Sequence, residues 1–281
     1  MMTRRNRSIQ NVTNAVILSA TLVFALFPFF WLVRTAFTPV RDAFSLTPQL
    51  LPQTVSMENL QRVLTSPSIP FVRQFGNSAF VAITTTLLVI IVGSSGAYAL
   101  ARLHFRGRNA FSLSLLLIQL FPAVLLVIPL FVVMVNLGLT DTLFGLVLAY
   151  TTSNLPFVTW LLRGYFLSLP AELEDAARID GCTTYGVLFR IILPLATPGI
   201  AAAATLAFVS AWNEFLVANV LITDNRLRVL SIGLTSYIDQ FGTDYSGLFA
   251  MALLTSVPVV LAFMLFQRYI VGGLTAGAVK S

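Results

Sequence analysis

The side chains that most often carry enzyme chemistry are scarce in this chain, and their spacing limits what they can do. Cys182 is the one cysteine and His104 the one histidine, so neither an intrachain disulfide nor a Cys/His metal cluster can form. His104 stands in Arg102-Leu103-His104-Phe105-Arg106, the setting of a solvated loop residue rather than a ligand or proton relay. The one lysine, Lys280, is penultimate, and no Gly-x-x-x-x-Gly-Lys-Ser/Thr phosphate-binding loop is present. No nucleophile–base set stands out. The chain is therefore not expected to be an enzyme or to hold ATP or a metal itself.

Two groups of residues remain. Glu214 lies in Trp212-Asn213-Glu214-Phe215, inside an otherwise apolar stretch. A carboxylate at the centre of a bilayer costs on the order of 3 kcal/mol on insertion scales, so it should face protein or water. It reads as a pathway or gate residue, with Trp212 beside it offering a stacking face and Asn213 a hydrogen-bonding amide. The other reading is a structural anchor, protonated and bonded to a polar residue of a neighbouring helix. The second group is Pro170-Ala171-Glu172-Leu173-Glu174-Asp175-Ala176-Ala177-Arg178-Ile179-Asp180-Gly181. Pro170 suits a first helical position, and the acidic residues favour the positive end of the helix dipole. Gly181 suits a left-handed C-terminal cap, and Thr183 or Thr184 can open a second short helix that Pro194 helps to end. Ala176 and Ala177 leave one side of the first helix small, which suits either docking by another protein or a helix resting on a membrane surface.

The elements that must position these residues are membrane helices. The composition is 57% hydrophobic and only 10% charged, too little polar sequence to coat a soluble fold of 281 residues. A spanning helix needs about 20 apolar residues. Six stretches qualify, at about 15–33, 78–100, 110–135, 142–162, 195–222 and 245–267. Pro122, Pro129 and Pro258 permit bends within the third and sixth. The first stretch is too long for a signal-peptide core and ends in Phe27-Pro28-Phe29-Phe30-Trp31, not a cleavage site.

The net charge of +6 comes from Arg clusters between apolar runs, a pattern that sets orientation rather than binding nucleic acid. Arg4, Arg5 and Arg7, then Arg102, Arg106 and Arg108, then Arg163, Arg178 and Arg190, then Arg268 and Lys280 fall on one face. The other face carries fewer cations, offset by Asp42, Glu58, Asp141, Asp224, Asp239 and Asp244. Both termini are thus expected in the cytoplasm: an N-tail over 1–14, a transmembrane domain over 15–270 and a C-tail over 271–281. The two long connections are an external one at 34–77 and a cytoplasmic one at 163–194.

Asp175-Ala176-Ala177, three residues, Gly181, nine residues, then Ile191-Ile192-Leu193-Pro194 resembles the "EAA" loop of permease subunits of bacterial binding-protein-dependent ABC importers. Asp175 replaces the usual Glu. Asn77-Ser78, Ala97-Tyr98-Ala99-Leu100-Ala101-Arg102, Phe105-Arg106-Gly107-Arg108, Leu137-Gly138-Leu139-Thr140-Asp141-Thr142, Trp212-Asn213-Glu214-Phe215 and Gly277-Ala278-Val279-Lys280 are similar to the carbohydrate-uptake branch, which includes the six-span permease of the maltose transporter.

The resemblance implies an all-α type I ABC importer permease fold of six transmembrane helices in the bacterial cytoplasmic membrane. The loop would form a coupling helix docked on a cytoplasmic ATPase, with Glu174, Asp175, Ala176, Ala177, Asp180, Gly181 and Pro194 as coupling residues. Implied partners are a second permease subunit in a heterodimer, two ATP-binding cassette subunits that hold ATP and Mg, an extracytoplasmic solute-binding protein and membrane lipid. The implied solute is sugar-like, a di- or oligosaccharide in the first instance. An ion-coupled secondary transporter of a small polar solute is the alternative, although such proteins often carry several intramembrane charges and internal repeats, and only Glu214 is found here.

Overall fold

The computed structural model describes residues 4–43, 50–52, 54–239 and 242–278. Lys280 and Val279 lie outside them. The chain is built almost wholly from helices: α1 (Arg4–Ala36), α2 (Val40–Ala43), α3 (Glu58–Thr65), α4 (Phe71–Arg102), α5 (Arg108–Gln119), α6 (Ala123–Asn136) and α7 (Leu143–Ser168). The connection after α7 contains α8 (Glu172–Ile179), α9 (Thr184–Val187), a π-helical turn at Leu188–Ile192 and α10 (Leu193–Leu195). Then come α11 (Thr197–Asn213), α12 (Leu216–Leu221), α13 (Leu230–Thr235), a short antiparallel hairpin of β1 (Ile238–Asp239) and β2 (Gly242–Thr243), and α14 (Tyr245–Ala278). The hairpin is the one departure from an all-α chain among the described residues.

The residues fall into two compact units. One comprises the described residues up to Phe71 with Leu234–Ser256. Here α3 is tied back to the end of α1: the fully buried Asn59 donates from Nδ2 to the carbonyls of Ala36, at 3.2 Å, and Thr38, at 2.7 Å. Asp244 caps α14 by accepting from the Gly247 amide at 3.0 Å, and pairs with Arg62 at 3.0 Å.

The second unit comprises Val72–Gly233 with the described residues from Val257 onward. Within it α7 packs against α5, α11 and α12. Contact with α11 is close because Gly199 has no side chain; a Cβ there would stand 2.5 Å from the Tyr165 ring. Val89, Ala97, Tyr98 and Ala101 of α4 share a buried cluster with Val158, Leu162 and Phe166 of α7 and with Ala203 and Ala207 of α11.

Three helical stretches among the described residues are long and apolar enough to cross a membrane: Thr13–Ala36, Phe71–Arg102 and Tyr245–Tyr269. Counting each of two bent pairs as one span raises that number to five. The expected third span is not a single rod. It breaks at Phe121-Pro122, and α5 and α6 meet there at 104°. Pro122 cannot donate a backbone hydrogen bond, so the ladder stops where the ring stands. The expected fifth span is likewise interrupted, by an 80° bend before α11 and again at Glu214-Phe215. The stretch expected as the fourth span forms α7, whose centre holds Thr151, Thr152, Ser153 and Asn154; each returns a side-chain hydrogen bond to the carbonyl four residues earlier. Large apolar residues stand exposed on several helices, Phe24 at 83%, Ile128 at 73% and Leu265 at 67%, surfaces suited to hydrocarbon rather than water.

A candidate coupling helix and a broken span

The connection after α7 folds around α8. Its first turn carries Glu172, Glu174 and Asp175, and its last carries Arg178, the charge order that suits the helix dipole. Pro170 stands just outside the helix instead of opening it, because α8 begins at Glu172 behind Ala171. The far end closes as expected. Gly181 adopts φ +87°, its amide bonds the Arg178 carbonyl at 3.0 Å, and the Cys182 amide reaches the Ala177 carbonyl at 2.9 Å. This pair of bonds is a Schellman cap. Thr183 then opens α9, its hydroxyl accepting from the Gly186 amide at 3.2 Å. Pro194 does not end that second helix. The helical run passes through it to Leu195, with a π turn just ahead where the Leu193 amide reaches back to the Leu188 carbonyl.

The residues of α8 divide sharply between two faces. Asp175 and Ala176 are exposed, as are Asp180 and Gly181 at its cap. Ala177 is turned inward among Tyr98, Ala101, Phe166 and Leu188. Glu174 is 2% exposed, so it is not offered to a partner as the sequence suggested. Its Oε1 accepts from Arg102 Nε at 2.5 Å and its Oε2 from the Tyr98 hydroxyl at 3.0 Å. Arg102 also donates from Nη2 to the Leu169 carbonyl at 2.8 Å. The pairing of Tyr98 and Arg102 with Glu174 is not among the expectations from the sequence. The available signal was their spacing: four apart on one helix, they share a face.

Trp212 and Asn213 end α11 and Glu214 follows them, about 25 Å along this 17-residue helix from its start at Thr197. Trp212 is buried, stacked on Phe208 with centroids 5.5 Å apart and edge-to-face with Phe75 at 5.6 Å. Asn213 is exposed and donates to the Val209 carbonyl at 2.9 Å. Glu214 is not inside a helix. It occupies the break, where its two carboxylate oxygens accept from the Val217 amide at 2.9 Å and the Ala218 amide at 3.1 Å, capping α12. The Ser231 hydroxyl donates to its backbone carbonyl at 2.6 Å.

At a further connection Asp141, at φ +51°, accepts from the Thr223 amide and hydroxyl, both at 2.6 Å, and from the Asp224 amide at 2.8 Å. The Thr223 hydroxyl and these amides hold its carboxyl below the usual carboxylate range. The α6–α7 loop is thereby fastened to the loop after α12. No group of three or more His, Cys, Asp or Glu among the described residues could hold a metal ion.

The sequence profile of the binding-protein-dependent transport system inner membrane component matches residues 90–275, a stretch that contains α8, its cap and the break at Glu214. The chain belongs to that family. It is 36% identical to the inner membrane ABC transporter permease protein YcjP of Escherichia coli, over 94% of each chain. It is 38% identical to the arabinooligosaccharides transport system permease protein AraQ of Halalkalibacterium halodurans over 91% of each, and 36% identical to the trehalose/maltose transport system permease protein MalG of Thermococcus litoralis over 92% of each. Among solved structures, a bacterial ABC transporter involved in import of the acidic polysaccharide alginate superposes with a TM-score of 0.82 at 26% identity, covering 96% of this chain and 99% of that one. The fold is that of a type I ABC importer permease, and the chain is the membrane component of such an importer, not its ATPase. Membership sets aside the ion-coupled alternative.

Proposed function

We propose that the chain is one half of a heterodimeric permease, in a bacterial cytoplasmic membrane, that imports a di- or oligosaccharide when partner subunits hydrolyse ATP. The observation that carries this reading is the build of α8. It is a short helix fixed at its C-terminal end by a Schellman cap, with Asp175 and Ala176 exposed on one side and Glu174 and Ala177 buried on the other. Such an element transmits a push instead of yielding to it. Asp175, Ala176, Asp180 and Gly181 form the face offered to the ATPase, while Glu174 and Ala177 seat the helix on its own permease, and Pro194 leads toward α11. The sugar assignment draws on the names of AraQ and MalG and on the alginate importer.

Six spans complete the topology if α7 crosses with the five apolar ones, placing both termini and α8 in the cytoplasm. The loops at Asp141 and Thr223 then face the solute-binding protein. In the pathway, exposed Asn213 is the group available to sugar hydroxyls; Trp212 and Glu214 hold the break that presents it. ATP and Mg belong to the two partner ATPases.

The test is purification of the tagged chain in mild detergent from its native host, with subunits identified and counted by mass spectrometry. The expected result is one copy of this chain, one second permease and two ATP-binding subunits. A stable assembly of this chain alone, under controls that preserve a known importer, overturns the proposal.

A further inference from the structure

The acidic first turn of α8 contains three carboxylates, yet only Glu174 is withdrawn from solvent. Burying a carboxylate and a guanidinium is costly, and a well-packed apolar pair of the same volume often gives equal or better stability. Stability alone therefore does not account for the Arg102–Glu174 pair. What charge-assisted bonds add is direction: they hold only in one register. Arg102 makes such bonds to both ends of the loop's first segment, Nε to Glu174 on the helix and Nη2 to the Leu169 carbonyl where the chain leaves α7. Tyr98, one turn earlier on α4, holds the second carboxylate oxygen. Arg178 stands 4.0 Å from the same oxygen and adds a second cation at its exposed edge.

The covalent routes out of α8 are indirect. Toward α11 the chain passes the left-handed Gly181, a π turn and an 80° bend. Toward α7 it passes Pro170 and the extended Leu169. The pair on α4 bypasses both.

We propose that Arg102 and Tyr98 are positioning residues for energy coupling, locking Glu174 so that α8 and the end of α4 move as one body and the ATPase stroke enters the membrane through α4. The inference rests on α8 being the coupling helix. Its test uses the whole importer complex, with Cys182→Ser to remove the native thiol and spin labels at S95C on α4 and E172C on α8, both exposed positions. The inter-label distance is measured without nucleotide and after trapping with Mg-ATP and vanadate. In the parent complex trapping should leave the distance unchanged. In R102M/E174M, which keeps an apolar seat, trapping should shift or broaden it although the ATPase still co-purifies. An unshifted distance in that variant overturns the inference, since a purely structural pair predicts parent behaviour. If the double variant does not assemble, E174Q is read by the same criterion. ATPase retention unaffected by Asp175→Arg in the parent complex would overturn the coupling assignment and the inference with it, whereas an unshifted distance overturns the inference alone.

Discussion

Replacing Gly181 with alanine tests whether the stiffness of α8 depends on its cap. Gly181 sits at φ +87°, and a Cβ placed on it meets nothing within 4 Å. The substitution therefore carries no packing penalty, only the cost of holding an L-residue in the left-handed region, about 1–2 kcal/mol. That cost falls on the two bonds that close the helix, from the amides of Gly181 and Cys182 to the carbonyls of Arg178 and Ala177. Opening of this cap should become roughly five- to thirty-fold more frequent, as each 1.4 kcal/mol is a factor of ten. Hydrogen–deuterium exchange of the purified importer in lipid nanodiscs reads this directly, as faster exchange in peptides covering 176–183 with the remaining helices unchanged. Gly181→Asn should lose less, because asparagine visits the left-handed region more readily. Gly181→Pro should lose most, since it fixes φ near −65° and removes the donor to Arg178. Exchange equal to wild type in both G181A and G181P would show that the cap does not stiffen α8, and the argument from rigidity to coupling would fall with it.

Two further expectations concern the carboxylates that fasten loops. Glu214→Ala leaves the amides of Val217 and Ala218 without their acceptor, a loss of about 0.5–2 kcal/mol for a helix cap; exchange at those amides should rise, while Glu214→Gln, which keeps one oxygen, should fall between. Equal protection in all three would place the carboxylate elsewhere. The Asp141 latch should depend on pH with a definite sign. Its folded-state carboxyl is held below the ordinary range, so its stabilisation is complete above that range and is lost as pH falls through the lowered value. Thermal unfolding of the wild type against Asp141→Asn should show a gap that is constant from neutral pH to the ordinary carboxylate range and closes only below it. A gap that closes near neutrality would rule out the latch.

How legible the chain is depends on whether a feature is written locally. The apolar run at 15–33 and that at 245–267 lie within the observed stretches Thr13–Ala36 and Tyr245–Tyr269, because burial in hydrocarbon reads directly as composition. The cap of α8 is equally local: Gly181 and Thr183 act on amides within five residues of themselves. The 104° break at Phe121-Pro122 is less legible, since Leu116–Leu126 is apolar on both sides of it apart from Gln119 and hydropathy does not register backbone direction. Proline marked where a bend was allowed, without fixing its size.

Glu214 and Arg102 show the harder case, in which one charged residue admits two incompatible readings. A carboxylate inside a presumed 28-residue apolar helix looks like an intruder that needs a partner on another helix. Once the chain breaks at Glu214-Phe215, the same carboxylate lies three and four residues ahead of free amides and satisfies them. Arg102, at the end of an apolar run, looks like a topological charge facing water. Its carboxylate partner is 72 residues away on α8, so no local pattern could reveal the pair. In both cases the decisive quantity is where polar groups find partners once lipid excludes water. A charge that ends a span by bonding backbone, or that binds a distant helix, has the same composition as one left in solvent. The difference lies in geometry, and the coupling proposal depends on that difference at Arg102.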